Sequence, residues 1–339
     1  MKILGIETSC DETGAAIIEA GKNDNKVKLL SNSVSTSLLL HAKTGGIIPE
    51  IAAREQVKYI IPIINDALKG DKIEKIDTIA VTVGPGLIGS LLVGVETAKT
   101  LAYIYKKPIV PVNHLIGHIY ANFIGNQEFK EVEFPAMALI VSGGHTDLVL
   151  MRGHGKIKWL GGTRDDAAGE AFDKIGRLLN LPYPAGPHIE KLSEKIAKDN
   201  YRFPRPLIDS DDYDFSFSGL KTAAMREIQA IEQLNNETIS DICFSLQEAV
   251  FDVLITKTLN AAKQYNVKSI LLGGGVSANQ KLKEEFESAI GNQQSAVKFF
   301  VPAKNLSTDN AAMIASAAFF NYKEVGWQKI TANPELYFD

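Results

Sequence analysis

His114 and His118 stand four residues apart in Asn113-His114-Leu115-Ile116-Gly117-His118. On a helix, that spacing puts both imidazoles on one face, which suits zinc or iron ligation. A thermolysin-type peptidase needs Glu directly after the first His as its base; Leu115 is there instead, which disfavours that chemistry. A third ligand has to come from far along the chain. Asp309, in the polar turn Ser307-Thr308-Asp309-Asn310 ahead of a predicted helix, is the candidate. Two His and one carboxylate leave coordination positions open for a substrate oxygen. The plain alternative is one His capping a helix and the other at the surface.

Three polar or glycine-rich turns are the next candidates. Ser9-Cys10-Asp11-Glu12-Thr13-Gly14 follows an apolar run, and its Asp11 and Glu12 could hold a metal or a proton. Ser142-Gly143-Gly144-His145-Thr146 exposes backbone N–H groups on small residues, which can wrap a phosphate. Either turn alone reads first as plain hairpin chemistry; two such turns at matching points of a duplicated lobe, facing each other across a cleft, point to a nucleotide. Gly273-Gly274-Gly275-Val276-Ser277-Ala278-Asn279 sits between a predicted strand and helix. It suits a purine and ribose with Asn279 as hydrogen-bonding partner, or a tight turn in which Ser277 caps the helix. Gly84-Pro85-Gly86-Leu87-Ile88-Gly89 matches G-x-G-x-x-G, but the following strand ends in Asn113 rather than an acid, so a dinucleotide site is rejected. No P-loop string is present.

The elements that must position these residues repeat. Lys2–Ser9, Ala15–Ile18 and Val27–Leu30 read as strands. A helical pattern over Ile48–Leu68, a strand Thr78–Val83, a helix Leu87–Tyr105 and a strand Pro108–Val112 follow. The order recurs as strands Ala138–Val141, Asp147–Met151 and Lys156–Leu160, a helix Ala167–Leu179, a strand Ser269–Leu272 and a helix Ser277–Ile290. This is a duplicated α/β lobe. We expect a first lobe over 1–130, with a C-terminal helix near 310–330 packing back on it. A second lobe spans 131–309 and carries a proline-rich, acidic insert at about 181–217. The boundary falls in Asn126–Pro135.

The chain has 339 residues, 45% hydrophobic and 22% charged, so about two globular domains are expected and disorder, collagen and coiled coil are excluded. A net charge of −4 excludes a generally basic nucleic-acid coat. Two cysteines, Cys10 and Cys243, make neither a disulfide framework nor a Cys-based zinc site. Glu7 interrupts any signal-peptide core, and the glycines of Thr78–Val95 argue against a membrane span. A cytoplasmic protein without a membrane role is expected.

The chain resembles the bacterial tRNA N6-adenosine threonylcarbamoyltransferase (TsaD) family. The resemblance rests on Gly5 to Thr13, Gly84 to Leu87, His114 to His118, Val141 to Thr146, Asp165 to Asp173, Asp214 to Thr222, Gly273 to Asn279 and Thr308 to Asn310, in order along nearly the whole chain. The H-x-x-G-H and F-S-F-S-G-L-K strings are the specific ones. The resemblance implies the duplicated actin-like, sugar-kinase and Hsp70-like (ASKHA) α/β fold, with a nucleotide cleft between two lobes. It implies that His114, His118 and Asp309 bind one divalent metal ion, iron or alternatively zinc. It implies that Ile140, Val141, Ser142, Gly143, Gly144, Asp173, Gly186, Glu190 and Asn279 bind threonylcarbamoyl-AMP. Ala185 stands where members often have Gly.

The implied reaction moves the threonylcarbamoyl group onto the N6 amine of adenosine 37 in tRNAs reading codons that begin with A, with TsaB and TsaE as partner proteins. Asp11 and Glu12 are the candidates for positioning or proton transfer. The rivals are a small-molecule kinase of the same fold, which would not need the His pair, and an Hsp70-type switch, for which a substrate-binding domain after 339 would be expected.

Overall fold

The computed structural model describes residues 1–125, 131–196, 198–292 and 296–338. The chain forms two compact units, Met1–Val132 with Pro302–Asp339, and Glu133–Val301. Residues 126–130 of the expected boundary stretch lie outside the described residues. The chain re-enters the first unit at Pro302, so Asp309 belongs to that unit rather than to the end of the second lobe.

The first unit opens with β1 (Lys2–Glu7), β2 (Glu12–Glu19) and β3 (Lys28–Thr36), followed by a short α1 (Leu38–Ala42) and α2 (Pro49–Leu68). Next come β4 (Thr78–Gly84), α3 (Ile88–Tyr105), β5 (Ile109–Asn113) and α4 (His114–Tyr120). The sheet order is β3-β2-β1-β4-β5. β1 pairs antiparallel with β2 and parallel with β4. β1 and β4 are central and covered on both faces, so they read as continuous apolar runs rather than alternating ones. The first polar turn is shorter than its sequence suggests: Glu12 already lies in β2, opposite Thr36 of β3.

The second unit contains β6 (Ala136–Val141), β7 (Thr146–Gly153), β8 (Lys156–Gly162), α5 (Ala168–Leu178), α6 (Gly186–Ser193), α7 (Ser218–Ala230) and α8 (Asn236–Gln264). It closes with β9 (Ser269–Gly273), α9 (Gln280–Asn292) and β10 (Lys298–Phe300). Its sheet order, β8-β7-β6-β9-β10, repeats the first with the same pattern of antiparallel and parallel pairs. The fold is therefore a duplicated α/β architecture. Lys257, a buried residue of α8, fastens the insert by donating to Ser210 Oγ (2.8 Å) and the Asp212 carbonyl (3.0 Å).

After α10 (Lys304–Ser307), α11 (Ala311–Phe320) returns to the first unit. Its small residues let it approach the sheet closely. A Cβ on Gly5 of β1 would meet the Ala311 carbonyl at 2.2 Å, and one on Gly117 of α4 would meet Ile314 Cδ1 at 2.7 Å. These two glycines set how near the loop before α11, with Asp309, comes to β1 and α4. Among the described residues, no helix is long and apolar enough to cross a membrane.

Candidate metal centre and nucleotide platform

Asn113 starts α4. Its Oδ1 accepts from Leu115 N at 2.8 Å and Ile116 N at 3.4 Å, an N-cap that fixes where the helix begins. His114 therefore does not cap the helix, and His118 is buried rather than superficial. The two rings meet at a centroid distance of 4.6 Å. Asp309 Oδ1 lies 3.3 Å from His118 Nε2 and 3.6 Å from His114 Nε2. One ligand atom from each of the three residues falls within 4.8 Å of the others, and no other such group occurs among the described residues.

Donors about 2.0–2.1 Å from a shared cation at tetrahedral angles sit roughly 3.3 Å apart. The two separations to Asp309 Oδ1, 3.3 and 3.6 Å, are close to that spacing. Both ring nitrogens of His118 are buried without an aligned hydrogen-bond partner, a costly state unless something else occupies them. The three residues can hold a metal ion.

Acidic groups crowd around this point. Burial raises the Glu12 carboxyl well above its ordinary value, and the charges of Asp309 and Asp11 add to the shift. Burial and Asp309 push the Cys10 thiol upward as well, so it is no thiolate nucleophile. Asp11 Oδ2 is buried and unpartnered. Burial presses the charged form of His114 down, but Asp309 and Glu7 outweigh it and hold its pKa at about 9. Burial wins at His118, whose pKa is lowered. A dication would neutralise this cluster and displace the His114 proton.

The other expected site residues lie in the second unit. Ile140 and Val141 end β6 and are buried, while Gly143 and Gly144 are exposed. A Cβ on either glycine would meet nothing within 4 Å. The turn is pinned by Ser142 N donating to the His145 carbonyl (2.8 Å) and His145 N donating to Ser142 Oγ (3.1 Å). Asp173 of α5 accepts from Ala185 N at 2.7 Å, just before Gly186, and burial raises its pKa to about 6. Glu190 of α6 accepts from Gln280 N at 2.7 Å, which joins α6 to the start of α9.

Asn279, not Ser277, caps α9. Its Oδ1 accepts from Leu282 N at 3.0 Å and its Nδ2 donates to Gln247 Oε1 at 3.2 Å, while Ser277 Oγ donates to the Gly274 carbonyl. Gly274 is required by the fold itself: at φ +89° a Cβ would fall 2.4 Å from the Val141 carbonyl. The two glycine turns thus meet at the carboxyl ends of β6 and β9, where α/β sheets bind ligands.

Sequence reading missed Glu7, Thr82 and Gln247. Glu7 is the only acid in the run Lys2–Glu7, and its burial is visible only in the structure.

The whole chain is similar in fold to component A of (R)-2-hydroxyglutaryl-CoA dehydratase from Acidaminococcus fermentans, with a TM-score of 0.55 at 15% identity over 94% of this chain and 98% of that one. HypF from T. kodakarensis matches with a TM-score of 0.59 at 14% identity, covering 94% of this chain and 47% of that one. The architecture is the actin-like ASKHA class. The sequence model of the TsaD family, tRNA N6-adenosine threonylcarbamoyltransferase, matches residues 28–316. A protein of that name from Persephonella marina is 47% identical over 331 residues, 96% of this chain and 92% of its own length. One from Bacillus thuringiensis (strain Al Hakam) is 46% identical over 339 residues, 98% of this chain and 96% of its own length. The chain belongs to the tRNA N6-adenosine threonylcarbamoyltransferase family, a family of transferases.

Proposed function

We propose that this protein transfers the threonylcarbamoyl group of threonylcarbamoyl-AMP to the N6 amine of adenosine 37 in tRNAs that read codons beginning with A. The observation that carries the reading is the His114–His118–Asp309 group in a chain of this family. The N6 nitrogen forms a bond to the carbamoyl carbon, the bond from that carbon to the phosphate oxygen breaks, and AMP leaves with its electron pair. AMP is a good leaving group, so no covalent enzyme intermediate is required.

His114, His118 and Asp309 would hold a divalent cation, iron or alternatively zinc. Such an ion supplies Lewis-acid polarisation of a carbonyl or phosphoryl oxygen. Ile140 to Gly144, with Asp173, Gly186, Glu190 and Asn279, hold the adenylate, so that binding far from the reacting carbon orients it. The open space over Gly143 and Gly144 supports a close approach of phosphate to backbone. Asp11 and Glu12 position the amine or accept the proton it releases; burial and the charges of Asp309 and Asp11 raise the Glu12 pKa, which makes its carboxylate a stronger base. The work is done in the cytoplasm with TsaB and TsaE.

The test is incubation of the purified protein with TsaB, TsaE, the adenylate and unmodified tRNA, followed by nucleoside analysis. Threonylcarbamoyladenosine is the expected product. Consumption of ATP with a sugar or carboxylate acceptor, and no modified nucleoside, would select a small-molecule kinase instead.

A further inference from the structure

Glu7 is fully buried at the end of β1, yet no lysine or arginine pairs with it among the described residues. A buried carboxylate whose ionic neighbour is an imidazole is expensive to hold, so its contacts show what it is held for. Its Oε1 accepts from Ser9 N at 2.6 Å. Its Oε2 accepts from Thr82 Oγ1 of β4 at 2.5 Å and lies 3.3 Å from His114 Nδ1. β1, β4 and β5 are adjacent in the sheet, so the carboxylate reaches from the first strand across the second to the helix that follows the third.

The opposite edge of the same ring, Nε2, faces Asp309 Oδ1 and the His118 ring. His114 Nδ1 lies between Glu7 Oε2 (3.3 Å) and Ser9 Oγ (3.2 Å); with its proton there, His114 donates toward this pair, of which only Glu7 carries charge, and presents a lone pair at Nε2. Three acceptors then converge, His114 Nε2, His118 Nε2 and Asp309 Oδ1, which is a stable arrangement around a cation. A carboxylate behind a ligating imidazole fixes ring and tautomer, and its loss typically weakens metal binding 10–100-fold.

We infer that Glu7, held by Thr82 and the Ser9 N–H, is a positioning residue that orients His114 Nε2 toward the cation of the candidate centre. This rests on the reading of His114, His118 and Asp309 as a metal site.

The experiment is Zn2+ titration of the full-length protein against a chromophoric chelator, with nitrogen-15 NMR of histidine-labelled protein. Glu7→Gln should weaken Zn2+ about 10-fold or more and shift the His114 Nδ1–H resonance, with the circular dichroism unchanged. Thr82→Ser, which keeps the hydroxyl, should bind like the unaltered chain, and Thr82→Val should bind more weakly. This pair decides the matter if Glu7→Gln does not fold. Unaltered Zn2+ affinity and His114 resonance in Glu7→Gln, or equal affinity in the two Thr82 variants, would overturn the role of Glu7. Equal Zn2+ binding by the unaltered chain and His114→Ala/His118→Ala would instead show that the centre itself is elsewhere, and the inference would fall with it.

Discussion

At the scale of residues, a protein can converge two imidazoles and a carboxylate at a buried point only if a cation or a proton holds them together. Without a cation, the proton sits on His114, whose pKa of about 9 exceeds the ordinary value of 6.5. A raised folded-state pKa gives stability that is complete below 6.5 and lost as pH rises toward about 9. His118, with its lowered pKa, acts in the other direction, losing stability only as pH falls below 6.5. Chelator-treated protein should therefore show a falling melting temperature between pH 6.5 and about 9, and His114→Ala should flatten that slope. An identical slope in the variant would place the titration elsewhere. The same proton must leave when a metal binds, so Zn2+ affinity should rise with pH across this interval. The His pair was legible from its i, i+4 spacing. Glu7 was not, because sequence alone cannot distinguish a buried carboxylate with a task from the edge of a strand.

At the scale of elements, β1 to β9 and helices α2, α3, α5 and α9 were legible because central strands are short apolar runs bounded by glycine and polar turns, whereas α6, α7 and β10 were not. The 29-residue α8 was not legible: much of it is buried, so no single apolar stripe marks it. Cap identity also depended on three dimensions. Asn279 and Ser277 both suit an N-cap, and only the Leu282 N–H shows which one serves. Two substitutions test how elements build the sites. Gly144→Val puts a side chain where the protein has no atoms within 4 Å, so the fold should survive while calorimetric affinity for AMP is lost. Unchanged affinity would move the nucleotide elsewhere. Gly5→Ala places a Cβ 2.2 Å from the Ala311 carbonyl, and neither backbone can yield without displacing α11. It should destabilise the protein by about 1–3 kcal/mol in urea unfolding, and weaken metal binding through the displaced Asp309. Stability equal to the unaltered chain would show that α11 is not held as described.

At the scale of the whole molecule, charge limits what the chain does with tRNA. The net charge is −4. Several basic side chains that could meet phosphate are already engaged: Arg164 by Asp212 and Asp214, Arg205 by Asp199 and Asp252, and Lys221 by Asp166. Phosphate contacts dominate nucleic-acid affinity and weaken steeply with salt. The isolated chain should bind tRNA weakly at physiological salt and more tightly once partners add positive surface. Tight binding alone, unchanged by partners, would contradict a shared tRNA site.

The central claim is that one cation on His114, His118 and Asp309 serves the transfer reaction, and it is tested most directly by measuring metal content and modified nucleoside on the same preparations. The unaltered protein, with partner proteins, adenylate and unmodified tRNA, should carry one equivalent of metal and form threonylcarbamoyladenosine. His118→Ala should lose both together while keeping its circular dichroism. Metal retained by His114→Ala/His118→Ala, or full product formation by a metal-free preparation, would contradict the account.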